Sequence, residues 1–257
     1  MRPSARQLTK LSDTDHEKTA MKISSLAVAI FLTLEPSAGF SAAVSTSNKC
    51  ETVKSIDPSN LSQQAMLDVI LASSLVEATT RSLVGGGINV TYRETLERNA
   101  PLEQAIPGIH NAMIEAATNA GLAQADLDLK SKLEEARTAL ARDIPTAKLS
   151  RIYYVMEPLT RCNQGFNLQF NKGDTAAAAL DRALTNFRSP EVDSRVKQVV
   201  REPGMNAALD KALTIIEQYQ RSMSAVSGAA AKVAIKAAQM KANEMAAARG
   251  YQPIYTP

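Results

Sequence analysis

Between Pro203-Gly204 and Arg249-Gly250 the chain runs without proline, and apolar residues return in a seven-residue register. Leu209, Ala212, Ile216, Tyr219, Met223, Val226, Ala230, Val233, Ala237 and Met240 fall on successive a and d positions. Held over four heptads, this pattern predicts one long helix with a coiled-coil-like seam. Fully helical, the segment would span about 65 Å. Gly228 interrupts it at about 1 kcal/mol relative to alanine.

Upstream, the same three- and four-residue spacing predicts shorter helices. Asp57-Pro58 reads as a start, with Leu61, Ala65, Met66, Val69, Ile70, Ala72, Leu75 and Val76 forming an apolar face to about Val84. Gly85-Gly86-Gly87 then reads as the end of that helix, because three glycines carry a heavy entropy cost. Ile88 to Tyr92 alternates as a strand would, but is too short to stand alone. Pro101 and Pro107 punctuate a broken helical region whose face is Ile109, Met113, Ile114 and Ala117, ending near Gly121. Ala123 to Arg142 follows, with Leu122, Leu129, Leu133, Ala136 and Leu140 on one seam, stopped by Asp143-Ile144-Pro145. The next helix carries Leu149, Ile152, Tyr153, Met156 and Cys162, with Pro158 as a kink. Asn163 to Gly173 reads as a loop. Asp174 caps a helix with Ala178, Leu180, Leu184 and Phe187, and Pro190 starts a short one with Val192, Val196, Val199 and Val200.

The sum is an all-α protein, an up-and-down helical bundle of five to seven helices with one long C-terminal helix. The expected organisation is a bundle over 44–203, the heptad helix over 204–250 packing on the bundle or on a partner, and a flexible tail over 251–257. On this reading the upstream helices reach half the length of the last one or less. The long helix must then protrude, bend at Gly228, or be covered by a second chain.

The N-terminal pattern is of another kind. From Met21, read as the start, Lys22 supplies a positive n-region and Ile23 to Leu34 an apolar run. Pro36 breaks the helix ahead of Ser41-Ala42-Ala43. That order is the grammar of a cleaved secretory signal, with the cut near Ala43. A dozen apolar residues interrupted by Ser24, Ser25 and Thr33 fall short of the roughly 20 a membrane span needs. The expected location is therefore exported, periplasmic or secreted, with residues 1–43 removed.

Export changes the meaning of Cys50 and Cys162. In an oxidising setting a disulfide between them is the leading expectation, closing a loop of about 110 residues worth near 4–5 kcal/mol in the loop-entropy model. The alternatives are two free thiols or an intermolecular bridge. Removing five Lys/Arg and four Asp/Glu from totals of 29 and 26 leaves 24 against 22. This balance argues against nucleic acid as a partner. Tryptophan is absent and aromatics make up 4%, which suits closely approaching helices better than a β-sandwich.

Catalytic chemistry finds little purchase. His110, the one histidine beyond the leader, lies among Ile109, Met113 and Ile114 and reads as structural. Multi-histidine zinc sites are excluded, and no Cys-x-x-Cys-His is present for haem. Ser194-Arg195-Val196-Lys197 matches a Ser-x-x-Lys pattern without its companion Lys-Thr-Gly. Gly85-Gly86-Gly87 lacks a following Gly-Lys-Ser/Thr. Asn89-Val90-Thr91 is a sequon, informative only in a eukaryotic secretory path. Glu134 and Glu135 are adjacent and diverge around a helix.

Lys232, Lys236, Gln239 and Asn243 cluster on a helical wheel opposite Val226, Val233 and Met240. Because the apolar side is mostly alanine, helix packing is expected over a membrane surface. The leading expectation is a non-enzymatic, cofactor-free interaction or structural subunit. It would associate with itself or with a protein partner through the long helix. The alternative is a small-molecule carrier with an apolar pocket near Tyr153, Tyr154 and Met156.

Overall fold

A computed structural model describes residues 58–161, 178, 180–182 and 190–256. The signal-like segment, Cys50, Cys162, the Asn163–Gly173 loop, Asp174, Leu184 and Phe187 lie outside the described residues. Within them the protein is an all-helical bundle with a long C-terminal helix.

A 3-10 turn, Pro58–Asn60, precedes α1, Gln63–Ala72. Ser62 caps α1, its hydroxyl accepting from the Ala65 N–H at 3.1 Å, which satisfies one of the helix's free donors. The expected single helix to Val84 is broken after Ala72. The Ser73 and Ser74 hydroxyls donate to the carbonyls of Ile70 and Leu71, at 2.6 and 2.7 Å. Leu75 then turns the chain at φ 51°, a left-handed conformation that costs a non-glycine residue about 1–2 kcal/mol.

Helix α2 spans Val76–Glu97 and runs straight through Gly85-Gly86-Gly87 and the strand-like Ile88–Tyr92. Both earlier expectations are therefore corrected. Burial explains why. Val84, Ile88, Tyr92 and Leu96 return every four residues as core positions. Their packing outweighs a propensity cost of about 3 kcal/mol for three glycines.

A short helix α3, Ala100–Ala105, starts with Pro101 in its first turn. Pro107 and Gly108, at φ 84°, lead into α4, Ile109–Asp143. Here too the expectation changes. Gly121 sits inside one unbroken helix of 35 residues, only modestly shorter than the 43 of the C-terminal helix. The long helix is consequently not out of proportion to its neighbours, and its length alone does not require it to protrude, to bend at Gly228 or to be covered by a second chain.

Ile144-Pro145 separates α4 from α5, Thr146–Arg161, which keeps Pro158 in its interior. Residues 178 and 180–182 are helical, and α6 spans Pro190–Val200. Helix α7, Met205–Ala247, closes the fold within three residues of its expected limits. Its end is a Schellman motif. Gly250, at φ 74°, donates its N–H to Ala247, and the Tyr251 N–H reaches Ala246 at 3.0 Å.

The described chain divides into two compact units. The first contains Glu77–Leu129 and Met223–Pro257, and the second contains Lys130–Ser222 with the described residues up to Val76. Each long helix supplies one part to each unit.

In the first unit α2, α4 and α7 each carry a buried residue at every fourth position. On α2 these are Thr80, Val84, Ile88, Tyr92 and Leu96. On α4 they are Ile109, Met113, Ala117, Gly121, Ala125 and Leu129, and on α7 Ala230, Ala234, Ala238, Ala242 and Ala246. A four-residue period packs i±4 ridges into grooves. Small residues let the backbones close in. A Cβ added at Gly121 would lie 2.5 Å from Ile88 Cδ1, 3.3 Å from Ala234 Cβ and 3.4 Å from the Ala230 carbonyl. Three helices converge on that missing methyl group.

Ile254 and Tyr255 fold back onto α7. Asn243 Oδ1 accepts the N–H groups of Ile254 and Tyr255, both at 2.8 Å, and its Nδ2 donates to the Tyr255 carbonyl at 2.7 Å. Burial pushes the phenols of Tyr92 and Tyr255 upward in pKa.

The second unit is built from larger side chains. Met66, Leu67, Ile70 and Leu71 of α1 pack on α5, which buries Leu149, Ile152, Tyr153, Val155 and Met156. Val192, Val196 and Val199 of α6 pack on α5 as well. Each such large side chain stabilises the fold by about 1.5–3 kcal/mol relative to exposure.

Candidate interaction surface

The ten seam residues of α7 do not share one environment. Leu209, Ala212, Ile216, Tyr219, Val226 and Ala230 are buried, with Met223 partly so. After Ala230 the heptad positions turn outward. Val233 is 37% and Met240 62% exposed, and Ala237 is half-buried. The core contact has moved to Ala234, Ala238, Ala242 and Ala246, so the buried period lengthens from 3.5 to four residues.

The physical reason lies in composition. Alanine is apolar at every position it occupies, so between residues 229 and 248 several registers satisfy a helical wheel. Close backbone approach at Gly121 selects the four-residue one. The large side chains Val233 and Met240 are left on the far side, giving this part of α7 two apolar faces.

Lys232 and Lys236 are exposed together with Val233 and Met240. The expected opposition between a lysine face and an apolar stripe is therefore corrected, for Val233 and Met240 lie with the two lysines on the outward half of the helix, while Val226 is buried. Lys241 donates to Glu244 at 3.0 Å. Among the described residues the exposed large hydrophobic side chains are Val90, Leu127, Val233 and Met240, all within the first unit. Isolated exposed apolar residues are ordinary. Two on one helix face, a heptad apart, are more informative.

The second unit carries the main polar arrangement. Arg151 of α5 and Arg195 of α6 stand over the ring of Tyr154, their guanidinium carbons 5.3 and 4.8 Å from its centroid. Glu202 accepts from Arg151 Nε at 3.0 Å, and that hydrogen bond holds the Glu202 carboxyl below its ordinary pKa. Arg195 and Glu157 are buried, and neither is left without a partner. Tyr153 and Met156, named for a carrier pocket, are fully buried core residues, while Tyr154 is covered by the two guanidiniums. Nothing in the residue pattern marked Arg151, Glu202 or the Asn243 clamp, since each joins positions far apart in the chain or in an irregular tail.

His110 serves a helix start. The Glu103 carboxylate accepts the N–H groups of Gly108 and His110, at 2.6 and 3.0 Å, and lies 3.6 Å from His110 Nδ1. These backbone donors, the His110 N–H above all, hold the Glu103 carboxyl below its usual range. In the Ser-x-x-Lys pattern, Ser194 is exposed and Lys197 is tied to Asp193 at 2.5 Å. Among the described residues no three His, Cys, Asp or Glu side chains are grouped to hold a metal ion. No described helix is long and apolar enough to cross a membrane. No protein family, curated protein or solved structure matches the chain.

Proposed function

We propose that this chain is an exported, non-catalytic helical protein that acts as an interaction or structural subunit of the cell envelope or secreted fraction. It docks its partner on the outward strip of α7 around Met240. The observation that carries the reading is the doubled apolar character of α7 beyond Ala230. One face is consumed by alanine packing, and the other leaves Val233 and Met240 open. The leader-like order from Met21 to Ala43 supports export. With export, a Cys50–Cys162 bridge is the expected state of the two thiols.

A photo-crosslinking residue introduced at position 240 tests the docking role in producing cells. A covalent protein adduct at 240, absent when the same residue stands at exposed Ser82, supports it. No adduct at 240 sinks it. N-terminal mapping of the protein recovered outside the cytoplasm checks the export step, with a start near Val44 expected and an intact Met21 leader against it.

A further inference from the structure

The outward strip of α7 has an internal symmetry. Lys236, Met240 and Glu244 stand four residues apart on one ridge, with the cation and the anion equidistant from Met240. Val233 and Ala247 lie seven residues to either side of Met240 on the same face. Lys236, Met240, Glu244 and Ala247 are all exposed, and among the described residues Lys236 has no ion-pair partner. Glu244 is shared only with Lys241, whose contact uses Oε2.

We propose that the occupant of this strip is a second copy of the same chain. The two α7 helices would lie antiparallel about a two-fold axis through Met240. The inference rests on the docking role argued above and names its partner. In an isologous interface each contact occurs twice, so residue i meets j and j meets i. With the axis at Met240, Lys236 of each copy faces Glu244 of the other, Val233 faces Ala247, and the two Met240 side chains meet at the centre. A parallel pairing would instead set lysine against lysine and glutamate against glutamate. Charge therefore selects the antiparallel arrangement.

The strip from Val233 to Ala247 is about 21 Å long. A single-helix strip of that length, with Val233, Met240 and Ala247 as its apolar contacts, makes a small interface, so the dimer is a weak one. It forms at about 100 μM rather than nanomolar concentration.

The test is sedimentation of the full chain under reducing conditions, from about 10 μM to about 1 mM. The weight-average mass should climb toward twice that of the chain. Lys236→Glu should weaken association by about tenfold, because symmetry removes two ion pairs at once and replaces them with like charges. The combined Lys236→Glu and Glu244→Lys variant should recover it, and Met240→Asp should abolish it while leaving the helical circular dichroism unchanged. A chain that stays monomeric at the highest concentration overturns the proposal, as does a double variant that fails to recover. An adduct at position 240 with a different protein, alongside a monomeric purified chain, would remove self-association and leave the docking role standing.

Discussion

The two units solve the same problem with opposite materials. The first packs α2, α4 and α7 on a four-residue period, with glycine and alanine where α4 and α7 approach each other. The second fills its interior with Ile152, Met156, Leu149, Ile216 and Tyr219, and adds a stacked guanidinium cluster. Backbone proximity supplies the contact in one, and side-chain volume supplies it in the other. The lesson is that an Ala-rich helix need not bury its largest residues. When the backbone itself is the packing surface, the large side chains are released to the outside.

The contrast predicts that the units break in opposite directions. In the second unit truncation is the damaging change. Ile152→Ala should cost about 2–5 kcal/mol in chemical denaturation, the range for deleting a fully buried aliphatic side chain. In the first, enlargement is the damaging change. Gly121→Leu should cost about 1–3 kcal/mol or more, because the new side chain meets Ile88, Ala234 and the Ala230 carbonyl together. A neutral Gly121→Leu would mean that the helices do not approach as described.

Smaller effects sharpen the picture. Glu103 caps α4 through two backbone donors, and its loss should cost about 1 kcal/mol. Its carboxyl pKa is lowered in the fold. The stabilisation is therefore present above the unfolded value of about 4.3 and fades as pH falls through the folded value. Glu103→Gln should flatten stability against pH in that acidic window and leave the neutral and alkaline limbs parallel to those of the parent. An unchanged acid limb would remove the capping role. Smallest and opposite in sign is Gly228→Ala. A methyl there meets nothing within 4 Å, so the helix should gain up to about 1 kcal/mol in thermal or urea unfolding. Gly121 and Gly228 thus separate a glycine the packing needs from one it does not.

Much of the fold was legible from residue order. The limits of α6 and α7 and the break at Ile144-Pro145 follow from proline, glycine and apolar spacing, which act locally. The misread places share one cause. Gly85-Gly86-Gly87 and Gly121 are helix breakers by propensity, yet each lies in a helix whose neighbouring core positions hold it. Their cost is visible in the sequence, and their compensation is visible only in three dimensions. The Leu75 turn, with no glycine to mark it, was hidden for the converse reason. At the candidate surface the ten seam residues divide between the core and the exterior. Leu209, Ala212, Ile216, Tyr219, Val226 and Ala230 are core, with Met223 half-buried. Past that point alanine at 234, 237 and 238 satisfies several periods equally, and the seam positions Val233 and Met240 lie on the outward face while Ala234 and Ala238 are buried.

The register of α7 beyond Ala230 is therefore the claim on which both the unit comparison and the docking strip depend. Paired variants test it by urea unfolding. Ala238→Leu, at a fully buried position, should destabilise by about 1–3 kcal/mol, whereas Ala237→Leu, one residue away on the outward side, should stay within about 0.5 kcal/mol of the parent. The reverse order, with position 237 sensitive and position 238 tolerant, would restore the seven-residue seam as the core and contradict the account.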